Sequence, residues 1–229
     1  MKMLFESQQY TNRELREVLP DGAWQGKPCF IIGGGPSLKD FDFSKLKGYR
    51  TIGINLAFAK ITPTISFSMD TRFLRWVMDG RYGSEVKTKF ERMKTYRVWL
   101  LTYKASLPDY MYIVKVYRNY KQGFKAFPFS QAEGIGHGNN SGYAALNLAC
   151  CLGANPIYLL GYDMRHNNGK THWHQGHPVP QKESTVKSFI NYFNNAAPII
   201  KKRGIRVINL NPKSALKCFE KKKPEEVLK

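Results

Sequence analysis

"KPCFIIGGGPSL", residues 27–38, decides the fold. Pro28 precedes four apolar residues, Cys29 to Ile32, a run short enough for a buried strand. Gly33, Gly34 and Gly35 follow, then Pro36 and Ser37. Glycine tolerates positive φ and lets the backbone come close to a neighbour. Proline suits the first turn of a helix, and Ser37 offers a hydroxyl or a cap. The pattern predicts a strand, a tight turn and a helix start, whose free amides suit an anion. No Gly-Lys-Ser/Thr follows, so this is not a Walker A loop; Leu38 at the third glycine position spoils a dinucleotide fingerprint. A purely structural turn is the plainer alternative.

Outward from this stretch, strands alternate with helices. "RTIGINLAF" (50–58), "TISFSMD" (64–70), "RVWLLTY" (97–103), "MYIVKVYR" (111–118), "PIYLLGYDM" (156–164) and "IRVINL" (205–210) read as strands. Residues 72–94 read as helical, interrupted from Gly80 to Gly83. Asn140 or Ser141 caps a helix whose apolar positions Ala144, Leu148, Cys151 and Leu152 keep helical spacing, and Gly153 ends it. From Gln181, the residues Val186, Phe189, Ile190, Phe193, Ala197 and Ile200 make one apolar helix face. Pro198 is a kink site in that helix, and Gly204 closes it. Residues 119–138 show no clean period and read as a long loop. Such alternation predicts a parallel sheet covered on both faces, with ligands at the carboxyl ends of its strands.

Composition narrows the class. The chain has 229 residues, enough for one domain with a sizeable core. No apolar run reaches the roughly 18 residues of a transmembrane helix. The first residues lack the apolar stretch of a signal peptide, so a cytoplasmic protein is expected. Cys29, Cys150, Cys151 and Cys218 form no CxxC pair and read as free thiols. Lys and Arg number 36 against 17 Asp and Glu, a formal charge of +19. They crowd Arg72 to Lys125 and the tail from Lys201, where the run Lys221 to Lys223 is expected to fray. Such a surface attracts phosphate, in nucleotides, nucleic acid or anionic lipid; a merely solvated basic face is the alternative.

"THWHQGHP" (171–178) gathers three of the chain's five histidines, and His166 lies just upstream. His172, His174 and His177 are candidate zinc ligands, but their spacing matches no zinc signature. A neutral imidazole of pKa about 6.5 also suits a general base near neutrality. An exposed polar loop is the third reading.

Four blocks together carry a resemblance: "IIGGGPSLKDFDFSKL", "GINLAF", "NNSGYAALNLACCLGANPIYLLGYDM" and "INLNPKSAL". The chain resembles the bacterial lipooligosaccharide sialyltransferases that use a nucleotide sugar. It is also similar to their wider relatives, the motility-associated glycosyltransferase-like proteins and the 6-hydroxymethylpterin pyrophosphokinases. The resemblance implies one Rossmann-like, doubly wound α/β domain over residues 28–216, with an N-terminal extension (1–27) and a basic tail (217–229). It implies a histidine-bearing lid at about 163–180.

It also implies roles. The glycine turn, Gly33 to Gly35 with Pro36 and Ser37, lies under the nucleotide. Asn55 contacts the donor. Asn140, Ser141 and Gly142 face the ligand from the next helix, and Gly161, Asp163 and Ser214 complete the site. Tyr162 is the one candidate for the tyrosines that steady the departing phosphate. Gly176-His177 falls where the family's catalytic base lies, so His177 leads His172 and His174. Asp70 stands where the sialyltransferases have asparagine. A carboxylate there, with Asp163, would hold the magnesium ion that a pyrophosphokinase needs. The resemblance thus implies glycosyl transfer from a nucleotide-sugar donor to an unidentified acceptor hydroxyl. Magnesium-dependent phosphotransfer, or nucleotide or nucleic-acid binding without turnover, are the alternatives.

Overall fold

The structure, a computed structural model, describes residues 13–101, 107–118, 125–165 and 183–228. Eight strands form one sheet: β1 (Cys29–Ile32), β2 (Arg50–Ile54), β3 (Ile65–Ser68), β4 (Tyr96–Leu101), β5 (Met111–Lys115), β6 (Ile157–Leu160), β7 (Val207–Asn209) and β8 (Glu220–Lys221). Their order is β5-β4-β3-β2-β1-β6-β7-β8, and every neighbouring pair is parallel. Five helices join them: α1 (Ala57–Lys60), α2 (Thr71–Met78), α3 (Ser84–Arg92), α4 (Ser141–Cys151) and α5 (Glu183–Lys202).

The continuous apolar strands follow from burial on both faces. In β1, Cys29 and Ile31 join the cluster containing α4 and α5, while Phe30 and Ile32 point into the opposite one with Leu38, Leu46 and Ala57. The helix α4 is buried all round, from Gly142 to Cys151, because it lies across β1, β2 and β3 under α5. The long helix α5 continues through Pro198 to Lys202, and Gly204, at φ +74°, ends it. All four cysteines are free thiols.

Three local expectations change. Strand β2 stops at Ile54, and "NLAF" turns into the short helix α1. Pro36 opens only three residues of 3₁₀ helix, Pro36–Leu38, too little to carry a helix dipole. The basic tail does not fray. Glu220 and Lys221 pair with Ile208 and Asn209, Lys222 N–H donates to Asn209 O at 3.1 Å, and Leu228 is buried. Backbone pairing is indifferent to side-chain charge, and lysine suits an edge strand. Residues 13–27 also join the core: Leu15 and Trp24 are buried, and the Trp24 N–H donates to Leu152 O at 2.7 Å.

Candidate functional site: the switch point between β1 and β6

Strand order reverses between β1 and β6. Chain direction runs from β1 outward through β5 on one side, and from β6 through β8 on the other. Such a switch point opens a crevice at the carboxyl ends of the two strands. The glycine turn leaves β1 there, and Gly161 to Asp163 leave β6 beside it.

The glycines are required by β6 rather than by a ligand. Gly33 N–H donates to Leu160 O at 2.8 Å and Gly35 N–H to Gly161 O at 2.9 Å, which prolongs the strand pairing. A Cβ on Gly33 would lie 2.8 Å from Gly161 O, and one on Gly35 only 2.5 Å from it and 2.6 Å from Asp163 Oδ1. No side chain fits at that separation. Gly161 sits at φ +69° and packs against Leu38 from the other side. Only the Gly34 N–H, in the middle of the turn, meets no acceptor among the described residues.

Asp163 locks this turn. Its carboxylate accepts the Ser37 N–H (2.8 Å), the Ser37 hydroxyl (2.5 Å) and an Asn211 Nδ2 proton (2.8 Å), and the residue is 4% exposed. Ser214 donates its hydroxyl to Tyr162 O at 2.6 Å, and Asn209 Nδ2 to the same oxygen at 3.3 Å. The strand ends of β1, β6 and β7 are thus one hydrogen-bonded unit. Ser37, Asp163 and Ser214 build the crevice wall, the two hydroxyls already donating and the carboxylate already accepting.

The amino end of α4 reaches the same edge. Asn140, in extended conformation, caps it by accepting the Tyr143 N–H at 3.0 Å. Tyr162 donates its hydroxyl to Gly142 O at 3.0 Å. Burial pushes the Tyr162 phenol well above the usual tyrosine range, and the residue is 2% exposed. Tyr162 is therefore a post between β6 and α4, and the expectation that it meets a departing phosphate is corrected. Ser141 and Gly142 stay beside the crevice through this post.

Asn55 follows β2 at φ +50°, and its Oδ1 accepts the Ser68 hydroxyl at 2.6 Å. Asp70 follows β3 and caps α2, accepting the Arg72 N–H at 2.9 Å, with the Arg72 guanidinium 3.4 Å away. Both carboxylates of the magnesium pair have partners of their own. β3 and β6 are three strand spacings apart in the sheet, about 14 Å. Asp163 is already committed to three donors, and Asp70 to the α2 cap.

Exposed Arg72, Arg165 and Lys213 bring positive charge to this edge of the sheet. His137 carries no signal in the sequence, standing apart from the other four histidines. It lies three residues before the α4 cap, its Nδ1 accepts the Asn139 N–H at 3.0 Å, and burial pushes its pKa down. Ser68 and Asn211 carry no signal in the sequence either, because their partners Asn55 and Asp163 follow other strands. His172, His174 and His177 lie outside the described residues.

No known protein family matches the chain by sequence, and no curated protein does. By fold it has neighbours. The sialyltransferase CstII from Campylobacter jejuni, in complex with the substrate analogue CMP-3FNeuAc, superposes with a TM-score of 0.53 at 19% identity, covering 89% of this chain and 88% of that one. The sialyltransferase CST-II with a trisaccharide acceptor and CMP gives 0.50 at 19% identity, covering 86% of each chain. The chain has the α/β, Rossmann-like fold of these sialyltransferases, over nearly its whole length.

Proposed function

We propose that the protein is a glycosyltransferase of the sialyltransferase kind, moving a sugar from a nucleotide-sugar donor to an acceptor hydroxyl. The observation that carries this reading is the locked glycine turn at the switch point, in a fold shared with a protein seen holding CMP-3FNeuAc. The donor nucleotide would lie across the crevice, over Gly34, beside Asn55 and the Ser141-Gly142 end of α4. Arg72, Arg165 and Lys213 favour its negative charge.

Transfer needs one bond made and one broken. The acceptor oxygen attacks the sugar's anomeric carbon as the bond to the phosphate oxygen breaks, and the nucleotide leaves with the electron pair. A base takes the acceptor proton. His177 is assigned that role, with His172 and His174 as its rivals. The assignment rests on the Gly176-His177 pair lying downstream of Asp163 and on the pKa of a neutral imidazole, about 6.5. Magnesium is given no part, because Asp163 already holds three donors and Asp70 caps α2. No helix among the described residues is long and apolar enough to cross a membrane.

The test is nucleotide release. CMP-sialic acid and other nucleotide sugars are incubated with the protein and oligosaccharide acceptors, and free nucleotide is measured. Release from one donor, lowered about 10²- to 10⁴-fold by His177→Ala, supports the reading. Wild-type turnover in His177→Ala removes the base assignment. No release from any donor removes the proposed activity.

A further inference from the structure

Asn55 is one of three non-glycine residues at positive φ among those described, and it stands at the carboxyl end of β2 beside the switch point. Asparagine tolerates the left-handed region because its short side chain can bond locally. Here the side chain does something else. Its Oδ1 accepts the hydroxyl of Ser68, at the end of the neighbouring strand β3, at 2.6 Å. Asn55 N–H donates to Phe67 O at 3.0 Å, so backbone and side chain are both tied to β3. Ser68 is 3% exposed, and a buried hydroxyl keeps its partner.

A carboxamide has one accepting end and one donating end. Ser68 occupies the accepting end. The Nδ2 end meets no acceptor among the described residues, and Asn55 is half-buried. The last pair of the β1–β2 register is Ile32 with Gly53; counted onward, Gly34 falls in step with Asn55. Gly34 N–H is likewise without an acceptor among the described residues. Two unpartnered donors therefore follow the ends of adjacent strands.

We propose that Ser68 is a positioning residue: it fixes the Asn55 carboxamide so that Nδ2, paired with the Gly34 N–H, presents only donors to an acceptor oxygen of the bound nucleotide. The ligand class is an oxygen-rich anion, a phosphate or sugar oxygen, and a ligand offering an N–H at this point is refused. This deepens the proposed function and rests on it.

The experiment has two arms, both on the full chain. In the first, the Asn55 Nδ2 protons are followed by NMR without ligand. The wild type should show two resolved signals held at fixed shifts, and Ser68→Ala should move and broaden them while the backbone amides stay folded. In the second, CMP is titrated into the wild type, Ser68→Ala, Asn55→Ala and the double variant. Ser68→Ala should weaken CMP binding about five- to tenfold, the effect of one lost hydrogen bond. In the Asn55→Ala background the same change should have no further effect, which a general loss of packing would not reproduce. Ser68→Thr, which keeps the hydroxyl, should restore affinity. Additive losses, or unchanged Asn55 signals in Ser68→Ala, overturn the positioning role. Wild-type protein that binds no CMP, with the Asn55 signals behaving as expected, overturns the nucleotide reading and the ligand assigned here, and leaves the Ser68–Asn55 geometry standing.

Discussion

Asp163 accepts both the backbone N–H and the hydroxyl of Ser37, at 2.8 and 2.5 Å, across 126 positions of sequence. This contact joins the first strand's turn to the sixth strand's end and fixes the crevice between them. A charged acceptor is stronger than a neutral one. Asp163→Asn replaces an acceptor-only carboxylate with an amide that must turn a donor toward one of its three partners. The variant should lose about 1.5–3 kcal/mol in urea denaturation and bind nucleotide more weakly, without any change in its response to added metal. Unaltered stability would show that the lock is not needed.

Gly35→Ala should damage folding itself. The added Cβ would lie 2.5 Å from Gly161 O, and backbone on both strands must move to admit it. A loss of about 1–3 kcal/mol is expected from such overpacking, visible as a lower thermal midpoint with or without nucleotide. A variant with wild-type stability and no nucleotide binding would mean that the glycine faces the ligand after all.

His137 gives stability a pH dependence. Burial holds its folded-state pKa below the usual histidine value, with a hydrogen bond to the Asn139 side chain opposing in part. Between the two values the unfolded chain binds more protons. The contribution is therefore complete above the unfolded pKa of about 6.5 and is lost as pH falls through the folded value. Urea denaturation of the wild type and His137→Gln should show the wild type's advantage shrinking from pH 8 to pH 5. A gap of constant size across that range would contradict the assignment.

Asp70 is a helix cap first. Asp70→Ala should cost about 1 kcal/mol through the lost α2 cap, and Asp70→Asn, which also caps, should cost much less. Nucleotide release in EDTA should match that in magnesium for wild type and Asp70→Asn alike. Activity abolished by EDTA and restored by magnesium would return a metal to the site.

Much of this was legible beforehand. The apolar run Cys29 to Ile32 and the glycines after it indicated a buried strand and a tight turn, because burial on both faces leaves that mark. The interrupted helix at 72–94 and the Asn140 cap also appeared where expected. What the sequence hid was hydrogen bonding between distant strands. Nothing local in "GPSL" says that Ser37 is held by Asp163, or that Asn55 is held by Ser68. Role assignments suffered in consequence: Asp163 reads as a ligand when seen alone and as a lock when seen with its partners. The tail misled for another reason, since three consecutive lysines suggest solvent while their backbone completes a sheet edge.

In the proposed complex a nucleotide lies across the ends of β1 and β2 and the start of α4. A crystal structure grown with CMP, the nucleotide carried by a structural neighbour, tests it most directly. CMP is expected in the switch-point crevice, with one of its oxygens within hydrogen-bonding distance of Gly34 N–H and Asn55 Nδ2, and the Asp163–Ser37 contacts unchanged. CMP bound on another face, or in the crevice with Asp163 released from Ser37 to meet it, would rule out this placement of the nucleotide.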